Sequence, residues 1–141
     1  MPYSIHPEPD DAFVCVSLER CVTAADLDAA LTEVCERWSG KALDVLLDWR
    51  GTNALLLIPE EMPGLIAALT HYDACIPGGC SAWLTRDHQD NPVSIGALLD
   101  RRVPQGVRAR RFFTDEEEAK AWLRAHRGLD GVYANRLQPT P

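Results

Sequence analysis

The chain has 141 residues, a net charge of −7 and 46% hydrophobic side chains. That length fits one domain with a sizeable core. The negative balance argues against a general nucleic-acid binder, and no run approaches the roughly 18–20 apolar residues of a membrane span. The charge is uneven. Residues 1–100 hold 5 basic and 16 acidic side chains, giving −11, and residues 101–141 hold 9 basic and 5 acidic, giving +4. The start lacks the basic segment, apolar stretch and cleavage site of a signal peptide, so a cytoplasmic location is expected. The five cysteines, Cys15, Cys21, Cys35, Cys75 and Cys80, form no Cys-x-x-Cys pair. They read as reduced thiols rather than a disulfide framework or a zinc site. Cys15 and Cys35 fall on faces expected to be apolar, where cysteine acts as a small hydrophobe.

Residues 3–6 predict a first strand, and Pro7-Glu8-Pro9-Asp10-Asp11 a turn. Residues 12–18 are rich in β-formers and predict a second strand, antiparallel to the first across the short link. Residues 23–38 predict a helix, with Thr23 as cap and Asp26 completing a variant capping box. Leu27, Ala30, Leu31, Val34, Cys35 and Trp38 make its apolar stripe. Gly40 marks its end. The run from Leu43 to Trp49 predicts a strand buried on both faces, followed by a turn at Arg50-Gly51-Thr52-Asn53. That turn lies at the strand's carboxyl end, where open α/β sheets place their sites.

Pro63 suits the first turn of a helix over residues 63–72, with Leu65, Ile66, Leu69 and Tyr72 inward. Residues 80–85 predict a strand, and Asn91-Pro92 opens a further helix to residue 102. Residues 107–113 predict a last strand whose charged face marks a sheet edge. Thr114 and Glu117 read as the capping box of a final helix, which Gly128 should stop. Ala119, Trp122 and Leu123 should face the sheet. The expected fold class is α/β: a mixed, mostly parallel sheet of about five strands with about four helices, the first strand antiparallel in a hairpin.

Several of these pieces resemble one known family. They are the Met1-Pro2-Tyr3-Ser4-Ile5 start with its hairpin, the strand ending Leu47-Asp48-Trp49-Arg50, and the strand over residues 79–85. The most specific is the Phe-x-Asp-x-x-x-Ala-x-x-Trp-Leu ending, met by Phe113, Asp115, Ala119, Trp122 and Leu123. Together they resemble a bacterial STAS-like protein. That is the anti-sigma-factor-antagonist-like superfamily, whose fold is shared with CRAL-TRIO lipid-binding domains. The resemblance makes residues 1–127 the domain and residues 128–141 a C-terminal tail.

The resemblance implies a non-enzymatic interaction or regulatory module with no catalytic residues, no cofactor and no metal. In such antagonists a Ser or Thr after the central strand is phosphorylated by a partner kinase, which releases a bound partner. The matching positions are Asp48, Trp49, Arg50, Gly51, Thr52 and Asn53. They depart from the Asp-Ser-Ser-Gly type of the signalling members, and Thr52 is the only hydroxyl among them. The expected partner is a protein or a second copy in a homodimer, with Leu55, Leu56, Leu57 and Ile58 as the candidate self-association stretch. The alternative is a carrier or sensor of a small hydrophobic ligand, as in CRAL-TRIO domains.

The residues themselves offer other chemistry, each with a plainer reading. Thr52 and Asn53 are ordinary turn formers. His71, Tyr72, Asp73 and Cys75 put base, phenol, acid and thiol close together, but neighbours on a helix point different ways. Asp87, His88 and Asp90 carry metal-ligand types in what reads as a solvated loop. Arg101, Arg102, Arg108, Arg110 and Arg111 would suit an acidic or phosphate-bearing partner, or simply face water. Trp49 is the indole placed to line a pocket; Trp38, Trp83 and Trp122 read as core.

Overall fold

The computed structural model describes residues 3–8, 13–20, 23–38, 43–52, 60, 62–75, 79–86 and 109–130. Within them lie strands β1 (Tyr3–Glu8), β2 (Phe13–Arg20), β3 (Asp44–Thr52), β4 (Cys80–Leu84) and β5 (Ala109–Phe113), and helices α1 (Ala24–Arg37), α2 (Met62–Cys75) and α3 (Glu116–Asp130). The sheet order is β1-β2-β3-β4-β5. β1 runs antiparallel to β2, and every other neighbouring pair is parallel. This is the mixed sheet expected from the sequence. The helix expected over residues 92–102 lies outside the described residues.

Side chains alternate across the pleat, so β2, β3, β4 and β5 each serve two cores, while β1 packs against one. Val14, Val16 and Leu18 of β2 and Val45, Leu47 and Trp49 of β3 face α1 and α2. Phe13, Leu46, Ala82, Leu84 and Phe113 form the opposite core with Ala119 and Leu123 of α3. α1 and α2 carry the chain between parallel neighbours in the same direction along the sheet. The preferred right-handed crossover therefore places both on one face.

The first core is built around aromatic rings. Trp49 and Trp83 lie 4.9 Å apart at centroids, and Trp83 meets Phe112 edge-on at 5.6 Å. Such pairs add about 0.5–1.5 kcal/mol beyond the area they bury. Trp49 is fully buried, which removes it as a pocket-lining residue. The cause is its parity on β3, which it shares with Val45 and Leu47.

Element ends show where local signals sufficed. Thr23 caps α1 as expected: its side chain accepts from the Asp26 N–H and its own N–H donates to Asp26, both at 3.1 Å. At α3 the cap falls one residue later than the Thr114 reading. Asp115 Oδ2 accepts from the Glu118 N–H at 3.2 Å. The short carboxylate reaches the third helical N–H equally well. α3 also runs past Gly128 to Asp130. Glycine mid-helix costs only about 1 kcal/mol, which does not by itself stop a helix.

A single buried carboxylate ties β3 to β4. Asp44 is 1% exposed, and its Oδ1 accepts from the Cys80 N–H at 2.9 Å. The bond fixes the first residue of β4 beside the start of β3. Asp44→Ala is expected to cost about 1–3 kcal/mol in urea denaturation, because it orphans a buried N–H. Asp44→Asn keeps an acceptor and should lose less.

Candidate functional site

β3 continues to Thr52, so Arg50, Gly51 and Thr52 belong to the strand rather than to a turn. The reason lies in β2, which is longer than its apolar run. After an irregularity between Ser17 and Glu19, Glu19 pairs with Gly51 and Arg20 with Thr52. Gly51 is required by this close approach. A Cβ there would stand 2.8 Å from the Leu18 carbonyl oxygen, a backbone atom that cannot swing aside.

The parity that sends Trp49 into one core sends Asp48 and Arg50 to the α3 face. Asp48 Oδ1 accepts from both the Arg50 N–H and its Nε, each at 3.0 Å, and Oδ2 accepts from an Arg50 terminal nitrogen at 3.0 Å. The same terminal nitrogen reaches Glu116 Oε1 at 2.8 Å. Glu116 Oε2 in turn meets Lys120 Nζ at 3.3 Å, one turn along α3. Two carboxylates and two cations thus alternate from the end of β3 to the first turn of α3. Hydrogen bonding to Asp48, partly opposed by burial and reinforced by Glu116, raises Arg50 above its ordinary pKa. For Lys120 burial lowers the value, but the Glu116 carboxylate outweighs it and the pKa rises.

Beside this chain of charge sits Cys15. Its Sγ is 3.9 Å from Ser17 Oγ. Burial pushes its thiol above the ordinary value, and Asp48, Glu116 and Glu8 add to the rise against the Ser17 bond. Cys15 is thus half-buried on the α3 face, packed against the apolar core there as expected for it, with the charged groups at its edge. A thiol kept protonated in this way is a poor nucleophile.

The sequence singled out Asp48 and Arg50 but not their partners. Glu116 and Lys120 read locally as residues that oppose the helix macrodipole. No spacing rule links residue 50 to residue 116. The side chain of Thr52, all of Asn53, and Leu55, Leu56, Leu57 and Ile58 lie outside the described residues. So do Asp87, His88 and Asp90 and the arginines at 101, 102 and 108. Arg110 lies over the Trp83 ring at 5.1 Å, and Arg111 over Phe113 at 5.6 Å. Of the group on α2, Tyr72 is buried, while His71 Nε2 and Cys75 Sγ lie 3.4 Å apart. Among the described residues no set of three or more His, Cys, Asp or Glu side chains is placed to hold a metal ion, and no helix is long and apolar enough to cross a membrane.

Two outcomes follow from this geometry. The Arg50–Glu116 pair is largely exposed, so its coupling should be about 0.5–1 kcal/mol in a double-mutant cycle, falling in 1 M salt. A raised thiol pKa makes the folded state hold its proton while the unfolded state loses it. Stability should therefore fall above the ordinary thiol value of 9.0. Urea midpoints at neutral and alkaline pH should show Cys15→Ser narrowing that fall.

No protein-family model matches the chain, and no curated protein matches it. Among solved structures, one similar chain is an uncharacterised protein of the DUF3478 family, with a SpoIIAA-like fold, from Shewanella loihica PV-4. The match covers 86% of this chain and 91% of that one, at 17% identity and a TM-score of 0.56. That likeness shows that this chain has the SpoIIAA-like, that is STAS-like, fold.

Proposed function

We propose that the chain is a non-enzymatic, STAS-like interaction module, docking a protein partner at the carboxyl end of β3 and the adjoining start of α3. The observation that carries this reading is the Asp48–Arg50–Glu116 arrangement. It joins the loop position that antagonists of this fold use to a helix surface beside it. The charges there are half-exposed and mutually paired, which suits recognition of a partner's surface more than proton transfer. Thr52 lies two residues beyond Arg50. A phosphate on it would add about −1.5 to −2 charges and compete with Glu116 for the guanidinium.

The alternative, a carrier of a small hydrophobic ligand, has less support. Trp49 and Trp83 stack on each other in the core instead of lining a pocket. Native mass spectrometry of the purified protein separates the two readings: a retained mass of several hundred daltons would favour the carrier.

The interaction reading is tested by comparing proteins captured by the wild-type chain, Arg50→Ala and Thr52→Glu. A partner held by the wild type and reduced at least about tenfold by either change is expected, equivalent to 1.4 kcal/mol. Identical capture by all three would exclude the β3 end as the docking surface.

A further inference from the structure

The last turns of α2 bring an imidazole and a thiol together. His71 and Tyr72 are neighbours and point different ways, and Tyr72 is buried. His71 and Cys75 are four residues apart and share a face of the helix. Cys75 Sγ and His71 Nε2 lie 3.4 Å apart, within hydrogen-bond reach for sulfur. His71 is exposed, and Cys75 is half-buried with one side against the first core. The pair is thus open to solvent, while packing holds its thiol end in place. The other described cysteines differ. Cys35 and Cys80 are buried, and Cys15 sits beside a hydroxyl with carboxylates around it.

We propose that His71 and Cys75 form a two-point clamp for a soft divalent metal ion of the zinc class. Donor type fits, because thiolate sulfur and neutral imidazole nitrogen are zinc's preferred ligands. Spacing fits as well. Zn–S and Zn–N bonds of about 2.3 and 2.0 Å at a tetrahedral angle set the two donors about 3.5 Å apart. The observed 3.4 Å is already close to that. Charge also favours a cation. The carbonyl end of a helix is the negative pole of its macrodipole. The last turn of α2 adds an acidic residue, Asp73, and no basic one. The same pole opposes a bare thiolate, which argues against Cys75 as a nucleophile. On binding, the S–H bond breaks, a metal–sulfur bond forms and the proton goes to water. Nε2 supplies its lone pair while Nδ1 keeps its hydrogen. With two protein donors the remaining coordination positions belong to solvent, so the ion exchanges readily, unlike one in a closed four-ligand site. The clamp is distinct from the β3 end and does not rest on the function proposed for it.

Zinc titration of the full chain, reduced with a phosphine and read by competition with a chromophoric chelator, tests the proposal. Binding of one Zn²⁺ per chain at micromolar concentration is expected. Cys75→Ser and His71→Ala should each weaken it about tenfold or more. His6→Ala, which removes an exposed imidazole on β1, should leave it unchanged. Alkylation by iodoacetamide, mapped by mass spectrometry, should slow at Cys75 when Zn²⁺ is added, and this protection should vanish in His71→Ala. A wild type that binds no Zn²⁺ in this range overturns the proposal. So does binding that survives both variants, which would put the ion elsewhere. Protection of Cys75 that persists in His71→Ala overturns the clamp in favour of the thiol alone.

Discussion

The alternation of side chains along β3 is the constraint on which the molecule depends. With β2 on one edge and β4 on the other, the strand has no free backbone edge over residues 45–48. Its side chains must therefore divide between two cores. Val45, Leu47 and Trp49 go to the α1 and α2 side, and Leu46 to the α3 side. A slip of one residue would exchange the two sets and bury Asp48 and Arg50 among apolar side chains, at a cost of several kcal/mol for each unpaired charge. The buried Asp44 bond and the close approach at Gly51 pin the strand at its two ends.

That same alternation makes the candidate site. Where β3 leaves the core, its next two outward residues on the α3 face are a carboxylate and a guanidinium. α3 packs over β4 and β5, reaching β3 at its edge, so its first turn arrives beside them. Glu116 then completes an arginine held from two sides. Arginine suits this position because its planar fork satisfies both oxygens of Asp48 and still offers a donor to Glu116. A lysine would hold one partner at a time. The arrangement is also nearly neutral within itself, so a new charge placed next to it changes which partner the guanidinium holds.

Periodicity and cap residues made most of this fold legible. The α1 stripe and its Thr23–Asp26 cap, the inward residues of α2, the hairpin and the edge position of β5 all follow from spacing and residue type. The failures have physical causes. The strand signal at β3 stops where apolar residues stop, whereas the strand continues because Glu19 and Arg20 of β2 offer it a partner. Trp49 resembled a pocket residue because it stands beside a predicted turn; tertiary packing against Trp83 decided otherwise. Asp44 lies within the run expected to be buried on both faces, but no local signal pairs its carboxylate with the Cys80 N–H, 36 residues away. Half of the candidate site was visible in Asp48 and Arg50. The other half, Glu116 and Lys120, belongs to a distant helix, and only the packing of α3 brings it there.

The strand order has a bearing on kinetics. Every strand lies beside its neighbour in sequence. Each pairing therefore closes a local loop, and the sheet can grow by adding one strand at a time from the amino end. Such sequential closure keeps the loop entropy of each step low. During synthesis the first four strands can pair before β5 and α3 have left the ribosome. The Arg50–Glu116 contact, spanning 66 residues, is then among the last to close. Until it does, the end of β3 carries an arginine held by Asp48 alone, and the newborn chain differs electrostatically from the finished one at that end of the sheet.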